Sequence, residues 1–579
     1  MKITMSYKPV FLLFALVLNI GLMAQHNEEV TIEGTYRPKV NKVDKILMQA
    51  ETPEPSFSMP GTETRVLEIQ QRFPSKLEPL SALSLNNKDI TAESATKNFL
   101  MAGVGTRLSP VFLYKHHSML TKTLGLGVGI DHYSSWLGIK DYAYSGFMNN
   151  KFDIALSSKR FNNLQINGDV YYKNDVIHYY GVETSAWGGS ESALDLAAPR
   201  QTYNTIGFCA ALVSTSTRNR ELVHDASVDY HYLFSAFSAA EHSADLRYGL
   251  GYVNNWWGSK NHPQKLGMDL ELLYHGFRPG TPVTAGVAAV AATQRQFWME
   301  ARPYLEMKDE FYRLHLGLRM DAVSTLANNS SRVTLHPDLQ GSLFVMEKKV
   351  EFYAGLNGGR KPLTFSEVVG ENPFVDGCLQ LGLPNVKLGF DGGVRTNIMN
   401  TLDLHFGVRY RHTMNDPFYT VLSGVSGGYS VYNSYALVYD ETRVVSVLAD
   451  ARWLAWDKLT VDAGLAYNKY RMTLLDRPLY RPAFEGKLKV NYDFDENLTV
   501  YSSFLFQDGR YARLDPVLAA TPSYKLKPVL DLGLGADYKV KDELTVFAKI
   551  DNLLHQRYQR YLNYPVTGIE FYAGVKMRF

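Results

Sequence analysis

Few residues in this sequence have the type and spacing needed for covalent chemistry. It contains no His-Glu-x-x-His zinc motif, no Cys-x-x-Cys pair and no Gly-x4-Gly-Lys-Ser/Thr phosphate loop. The pairs His116-His117, Asp131-His132 and His224-Asp225 lie in segments typical of strands, where adjacent side chains point to opposite faces. Spacing therefore makes none of them a catalytic dyad. We expect no enzyme activity, no metal site and no cofactor.

Other polar residues alternate with apolar ones and have a different use. Eight of them would share the polar face of long strands: Asp153, Asp169, Asp245, Arg247, Arg313, Arg319, Arg395 and Arg409. On a water-filled interior such charges pair across neighbouring strands and solvate the wall. The alternative is a charged ring that selects a solute.

Long loops carry aromatic residues that could stack on sugars or clamp a partner. They include Tyr179, Tyr180, Trp187, Trp256 and Trp257. Trp256 and Trp257 could instead belong to a belt at the opposite membrane interface, where such residues are expected without a ligand.

Composition limits the class of protein that the chain can be. Its 579 residues include 37 Tyr and 29 Phe but only 2 Cys. The 60 Lys and Arg against 58 Asp and Glu leave a formal charge of +2, so we expect no nucleic-acid partner. A Tyr-rich, nearly neutral chain of this size indicates one large β structure. Cys209 and Cys378 lie far apart, and nothing requires a disulfide between them.

The N-terminus has the pattern of a secretory signal peptide. Lys2 and Lys8 precede an apolar run from Phe11 to Met23, and Ala24-Gln25 fits a cleavage point. The run is too short to span a bilayer as a helix. We therefore predict a signal peptide over residues 1–24.

The body of the chain, residues 99–579, alternates apolar and polar residues. One such strand reads Leu402, Leu404, Phe406 and Val408 on one face, with Asp403, His405, Gly407 and Arg409 on the other. A soluble sandwich would show the same alternation. Strands of often ten to thirteen residues, aromatic ends and charged inner faces favour a transmembrane barrel instead, since soluble strands average about five or six residues.

Connections between these strands alternate in length. Short turns are predicted at 308–310, 347–349, 399–401, 454–458, 494–497 and 540–543, and long loops at 323–332, 359–384, 413–435, 470–482, 508–528 and 553–568. Short turns at one end and long loops at the other are typical of outer-membrane barrels. The pattern predicts an all-β fold, a transmembrane antiparallel β-barrel of about 22 strands.

The last strand carries an assembly signal. Phe571, Ala573, Val575, Met577 and Phe579 share one face, and the chain stops on an aromatic residue. This resembles the signal read by the outer-membrane assembly machinery. The final strand must pair with the first, because an open sheet edge is not stable in lipid.

Two stretches resemble the barrel domain of TonB-dependent outer-membrane receptors. One is the closing segment Asp551-Asn552-Leu553-Leu554, with Arg557-Tyr558, Tyr564-Pro565 and Gly568 before Phe579. The other runs from Gly359 through Arg360, Pro362 and Glu367 to Asn372-Pro373-Phe374. The resemblance implies a 22-stranded barrel in the outer membrane of a Gram-negative bacterium, with both termini periplasmic. It also implies uptake of scarce nutrients, powered through TonB.

The chain departs from that family before its first strand. Receptors of this kind carry a globular plug there, whereas residues 25–98 are few and contain Pro53, Pro55, Pro60, Pro74 and Pro79, which break up a compact fold. We predict no full plug in this segment. The run Val30, Thr31, Ile32, Glu33 and Gly34 resembles the short TonB-contacting strand of the family, and such a strand could add to a partner's sheet edge.

A barrel of 22 strands needs a filling, since natural barrels of that size have plugged lumens. We expect residues 25–98, or inward-folded loops within 175–201, 359–384 and 508–528, to fill it; the alternative is a partner such as a surface lipoprotein. The predicted function is passage of a solute across the outer membrane. A non-transporting subunit of a larger outer-membrane complex and a passive porin are the alternatives. Outer-membrane lipid and the assembly machinery are expected partners in each case.

Overall fold

The structure is a computed structural model that describes residues 97–579 apart from ten short gaps. The gaps are 162–163, 185–193, 195–197, 215–221, 257–262, 284–291, 326–330, 347, 427–428 and 515–522. The predicted signal peptide, its Ala24-Gln25 cleavage point, the strand Val30–Gly34 and all but the last two residues of the segment 25–98 lie outside the described residues and stay predictions.

The described chain forms twenty-six strands and one helix of note, α1. The first thirteen strands are β1 (Asn98–Gly105), β2 (Ser109–Met119), β3 (Leu124–Ser135), β4 (Phe147–Phe161), β5 (Leu164–His178), β6 (Arg200–Ser214), β7 (Leu222–Ser235), β8 (Ala240–Asn254), β9 (Gln264–Arg278), β10 (Gln294–Lys308), β11 (Tyr312–Thr325), β12 (Ser331–Val345) and β13 (Val350–Arg360). After α1 (Phe365–Glu371) come β14 (Asn385–Ile398), β15 (Leu402–Ser426), β16 (Tyr429–Ala455), β17 (Leu459–Met472), β18 (Phe484–Asp493), β19 (Leu498–Asp508), β20 (Tyr511–Ala512), β21 (Tyr524–Lys525), β22 (Val529–Lys541), β23 (Leu544–Asp551), β24 (Gln559–Tyr561), β25 (Tyr564–Pro565) and β26 (Glu570–Arg578).

Twenty-two of these strands form one closed antiparallel sheet, which confirms the predicted barrel. Only the short pairs β20–β21 and β24–β25 stand apart from it. Each barrel strand pairs with its neighbours along the chain, and β26 pairs with β1, where Ala102 lies opposite Val575. We call the end that holds Asn98 and Phe579 the terminal end and the opposite one the distal end; Asn98 N donates to Phe579 O at 2.8 Å.

The two faces of the sheet differ as the alternation predicts. Along β11, Leu316 and Leu318 stand exposed on the outer face, while Arg319 points the other way and pairs with Glu300 of β10. The outer face is therefore apolar and the inner face charged, as a barrel in lipid requires. Among the described residues, no helix has both the length and the apolar character needed to cross a membrane.

Most predicted turns are correct, but one predicted loop is wrong. The turns 399–401 and 494–497 lie between strands as expected. The segment 413–435, expected as a loop, instead extends the β15–β16 hairpin far beyond the barrel wall. A register shift between Thr413 and Asp416 interrupts the ladder, and pairing then resumes. The residues beyond it are apolar enough to be buried on both faces at the distal end, which alternation alone does not reveal.

The seam between β26 and β1 is packed around two glycines. Gly103 and Gly574 face each other across the seam, and the buried ring of Phe547 from β23 lies against both. Tyr133 and Tyr572 are buried beside it and share a hydrogen bond of 2.8 Å between their hydroxyls. A Cβ atom on Gly574 would lie 2.2 Å from the backbone oxygen of Ala102, so only glycine fits there.

Substitution at this seam should weaken closure of the barrel. We expect Gly574→Ala to destabilise the folded barrel by about 1–3 kcal/mol, because the added carbon has to displace backbone rather than a flexible side chain. The measurement is the fraction of protein that resists unfolding in detergent gels over a temperature series. Gly168→Ala is the matched control, since its Cβ would lie 3.7 Å from the nearest atom. Equal melting of the two variants would contradict this account of the seam.

Candidate functional site: the capped distal mouth

Segments from opposite walls meet at the distal end in one hydrophobic cluster. Strands eleven positions apart lie opposite each other in a closed sheet of 22, as β5 and β16 do. Tyr179 directly follows β5, and its carbonyl accepts a hydrogen bond of 3.0 Å from the side chain of Asn433 in β16. The distal mouth is therefore crossed by the protein's own chain.

The largest part of this crossing is the segment 361–384, which we call the cap segment. It holds the helix α1, whose start is fixed by a capping box: Thr364 Oγ1 accepts from Glu367 N at 3.2 Å, and the Glu367 carboxylate accepts from Thr364 N at 3.0 Å. Phe365, Val368 and Val369 form the buried face of the helix. A seven-residue helix is marginal alone, so packing of this face must stabilise it.

A buried carboxylate ties α1 to the barrel wall. Glu241, at the distal end of β8, is fully buried. It accepts hydrogen bonds from the backbone N–H groups of Phe365 and Ser366, the first residues of the helix. It also lies 2.7 Å from His275 Nε2 and 3.1 Å from His231 Nε2. One side chain thus satisfies two otherwise unpaired helix donors and holds the cap segment to β7–β9.

The middle of the cap segment is held by tyrosines from several strands. Tyr203 of β6 donates its hydroxyl to Pro373 O at 2.8 Å, and Tyr179 donates to Val375 O at 2.8 Å. On the other side, Asp376 N donates to Tyr435 O of β16 at 2.8 Å. These bonds satisfy cap-segment backbone groups that burial removes from water.

A second crossing segment, residues 552–569, packs on the cap segment. The ring of Tyr564 stacks on Phe374 with centroids 3.7 Å apart, and Tyr561 donates its hydroxyl to Glu371 O at 2.7 Å. Arg510, from the connection after β19, donates to Gln559 O at 3.0 Å. Burial lowers the pKa of this guanidinium to about 10. Carbonyl oxygens are acceptors for this buried cation, so it holds two distal segments together.

The extended β15–β16 hairpin is anchored by a partly buried ion pair. Arg481 donates two hydrogen bonds to the Asp416 carboxylate, of 2.7 Å and 2.8 Å, and its guanidinium lies 4.2 Å from the centroid of the Phe418 ring. Although burial favours the neutral form, the Asp416 carboxylate raises the pKa of Arg481 above its ordinary value. A bidentate pair of this kind fixes orientation as well as charge. It fixes the hairpin at the register shift where the barrel wall ends.

The inner wall below the cap is lined with paired charges. Of the residues expected there, Arg409 pairs with Asp391, and Arg395 pairs with Glu351 at 3.2 Å. The others with ion pairs or ring contacts are Asp153 with Lys115 and Lys151, Asp245 with Arg247, Arg319 with Glu300, and Arg313 over the Phe344 ring. This pairing favours a solvated structural wall over a ring of free charges.

Two of the loop aromatics that could have bound a sugar have another role. Tyr179 and Tyr180 are buried in the distal cluster, so neither ring offers a face for a sugar or a partner in this structure. Their rings pack against the segments that cross the distal mouth. Trp256 lies at the terminal end after β8, 5.8 Å from Tyr252 between ring centroids, as an interface belt would place it. Trp187 and Trp257 lie outside the described residues.

The predicted C-terminal signal residues are partly exposed on the outer face. Phe571, Val575 and Met577 lie opposite Ile550, Val546 and Leu544 of β23, and Ala573 lies opposite Ala548. Phe579 follows the last strand and is exposed. Their role in assembly stays a prediction.

In the described part of the chain, the cysteines and the metal-ligating residue types do not come together in one site. Cys209 and Cys378 are not joined in a disulfide, and the Cys378 thiol donates to Gly280 O at 2.9 Å. The described residues contain no group of three or more His, Cys, Asp or Glu side chains placed to hold a metal ion. The run 424–428 fits the spacing of a nucleophile turn, but Val425 and Ser426 are paired within the β15–β16 hairpin rather than at a strand-to-helix turn.

Sequence reasoning did not identify Glu241, whose carboxylate accepts hydrogen bonds from the first residues of α1. A carboxylate at the end of a strand looks like any other wall residue. Its partners, Phe365 N and Ser366 N, lie more than 120 positions away along the chain. A capping box can be read from Thr364 to Glu367, and it was the available signal for a helix in this loop.

Comparison with known proteins finds similarity in fold. No protein-family model and no curated protein matches the chain. The ferric-catecholate import receptor Fiu of E. coli K12 matches with a TM-score of 0.61 at 10% identity, over 84% of this chain and 82% of the receptor. The FrpB iron transporter of Neisseria meningitidis matches with a TM-score of 0.62 at 12% identity, over 84% and 82%. The copper transporter OprC matches with a TM-score of 0.60 at 14% identity, over 84% and 81%. The chain thus shares the barrel fold of these receptors.

Removing the carboxylate under α1 should loosen the cap segment. We expect Glu241→Gln to raise hydrogen exchange of the α1 amides by about 10-fold or more, since hydrogen bonds to a charged group are worth about 1.5–3 kcal/mol. The measurement is hydrogen–deuterium exchange of residues 361–384 in detergent. Glu310→Gln, in a terminal-end turn, is the control that should leave exchange unchanged. Equal α1 exchange in both variants would show that Glu241 does not hold the cap.

Proposed function

We propose that the chain is an outer-membrane barrel that passes a solute through its lumen when the distal cap opens. The observation that carries this proposal is the contact of opposite walls across the mouth, where Asn433 of β16 bonds to the carbonyl of Tyr179 after β5. A pore closed by its own chain needs a movement before anything larger than water can pass.

The outer membrane of a Gram-negative bacterium is the location that the fold supports. The apolar outer face and the barrel shared with import receptors point to it. By the resemblance to TonB-dependent receptors, the terminal end is periplasmic and the distal end faces outward. The cap would then be the first surface that an incoming solute meets.

Energy for opening would come through the N-terminal segment. In this proposal Val30, Thr31, Ile32, Glu33 and Gly34 form a strand that adds to the edge of the TonB sheet. Residues 25–98 lack a full plug, and the cap segment takes over closure at the distal end. A mechanical pull on the N-terminus would need to reach the cap through the lumen.

The alternatives differ from this proposal in what the cap does. A passive porin would need a permanently open path, which the cap opposes. A non-transporting complex subunit would use the cap as a static lid, under a surface lipoprotein or another partner. The transport proposal therefore requires that the cap opens. The complex-subunit alternative requires that it stays closed, and the porin alternative requires a path that is always open.

A disulfide between the cap segment and the wall should hold the barrel closed. A Cβ on Gly377 would lie 3.3 Å from Ala239 Cβ in the β7–β8 turn, close to the roughly 3.5–4.5 Å that disulfides need. In a Cys209→Ser, Cys378→Ser background, we expect Ala239→Cys with Gly377→Cys to reduce opening events in planar bilayers at least tenfold. A reducing agent should restore them.

A matched disulfide within the wall tests whether cross-linking alone has this effect. A Cβ on Gly127 would lie 3.5 Å from Ala155 Cβ on the neighbouring strand, so Gly127→Cys with Ala155→Cys links β3 to β4 without touching the cap. This pair should leave opening unchanged. If the intact protein and Glu241→Gln never open, the transport proposal fails, and the complex-subunit alternative gains support.

The TonB contact has its own test. We expect Ile32→Pro to abolish co-isolation with the periplasmic domain of TonB from the same bacterium, because proline cannot donate to a sheet ladder. Ile46→Pro, outside the predicted strand, is the control. Retention of TonB by the Ile32→Pro variant would overturn the strand-addition proposal and leave the barrel and cap as they are.

A further inference from the structure

The outer face of β14–β17 changes abruptly from apolar to cationic towards the distal end. Along β15, the outward residues Leu402 to Tyr410 give a nine-residue apolar span, and about 9–11 residues are enough for a tilted strand to cross the hydrocarbon. The next outward residue is His412. On β17, Tyr467 is followed by Lys469 and Arg471 on the same face. The change therefore falls at the level of the lipid headgroups.

Four cations form this surface, which we call the basic patch: Lys387, Arg443, Lys469 and Arg471. Arg443 of β16 lies directly opposite Arg471 of β17, and Lys469 lies opposite Val445. Lys387 is the extra residue at a register shift in β14. Like charges directly opposite each other across a ladder are destabilising without a counter-ion.

The protein supplies the basic patch with little neutralising charge. Glu441 of β16 lies 3.5 Å from Arg443 and 2.7 Å from His412. Lys387 also acts electrostatically on the Glu441 carboxylate, whereas Lys469 and Arg471 form no ion pair within the described part of the chain. Exposed guanidinium and ammonium groups in this arrangement match an external anion with several oxygens.

On the opposite side of the barrel, different residues follow the apolar part of the outer face at the level of the basic patch. Strands β3–β6 lie eleven positions from β14–β17 and are therefore across the barrel. At this level His132 of β3 lies 2.7 Å from Asn150 Oδ1 of β4, Asn150 donates to Asn174 Oδ1 at 3.3 Å, and Asn174 donates to Asn204 Oδ1 at 2.7 Å. These amides satisfy one another and carry no charge. The cationic boundary is thus a local feature of one side of the barrel.

We infer that the basic patch binds the phosphate group of a membrane lipid in the leaflet at the distal end. The phosphate would lie between Arg443 and Arg471, with Lys469 beside it, while the acyl chains lie on the apolar surface below Tyr410 and Tyr467. A phosphate on a lipid reaches this level without leaving the bilayer, which a free anion does not do. The lipid phosphate offsets the repulsion between the two arginines.

The test measures lipid binding by the intact purified protein. The probes are phosphatidic acid and phosphatidylcholine with matched acyl chains, titrated in detergent and counted by native mass spectrometry. One basic residue near an anionic lipid surface is worth a factor of about five in affinity. We expect the triple variant Arg443→Gln, Lys469→Gln, Arg471→Gln to bind phosphatidic acid on the order of 100-fold more weakly than the native protein.

A charge-retaining variant is the matched control. Arg443→Lys, Lys469→Arg and Arg471→Lys together keep three cations and should keep binding within about threefold, the usual size of a context effect. Phosphatidylcholine should bind all three proteins alike. Equal binding of phosphatidic acid by the native protein and the glutamine variant would overturn the inference, and so would displacement of the lipid by an equal concentration of inorganic phosphate.

If the triple glutamine variant does not fold, two further measurements still test the inference. The single variant Arg471→Gln removes one member of the opposed pair and should lower affinity about fivefold. Binding of phosphatidic acid by the native protein should also weaken as salt is raised from 0.05 M to 0.5 M, because exposed charges are screened. Salt-independent binding would contradict a phosphate contact.

Discussion

Hydrogen bonding of the backbone in lipid is the constraint on which the rest of the structure depends. Hydrocarbon offers no partner for an N–H or C=O group, so each barrel strand has to pair on both edges. The pairing of β26 with β1 meets that requirement, and the facing glycines Gly103 and Gly574 let the two strands approach under the Phe547 ring. Once the sheet is closed, it has an inside. The charged inner wall, the apolar outer face and the mouth that the cap crosses all follow from closure.

The cap segment and the segments packed against it cross the distal mouth, and all of them are connections or strand ends of the barrel itself. The buried residues of the distal cluster come from β5, β6, β7 and β9, the cap segment, the β15–β16 hairpin and the connections before β18, β22 and β26, so its contacts are distributed around the rim. Glu241 and the Arg481–Asp416 pair hold two different parts of it. Because each anchor buries charge or backbone polarity, partial opening leaves unpaired groups. We therefore expect the cap to open in one cooperative step rather than by gradual loss of single contacts.

Much of the barrel could be predicted from the sequence, and little of the cap. Period-two alternation depends on neighbours two residues apart, so it gives the strands, the turn at 399–401 and the two faces. The cap depends on contacts between distant residues, such as Tyr203 with Pro373. The predicted loop at 413–435 failed for the same reason, since Phe418 and Tyr435 are buried by other loops and not by their own strand pairing. The loops within 175–201, 359–384 and 508–528 were expected to fill the lumen; their described parts pack together at the distal mouth, and filling of the lumen itself stays a prediction.

The sequence distance spanned by the cap has a consequence for biogenesis. The hydrogen bond from Tyr180 to Pro565 O joins residues 385 positions apart, and that from Tyr179 to Val375 O joins residues 196 apart. Contacts of such high contact order form late, because the intervening chain has to be in place first. The last strands must therefore be synthesised, delivered and inserted before the seal can form. During assembly the nascent cylinder would be a hole in the membrane, and its sealing would report that insertion is complete.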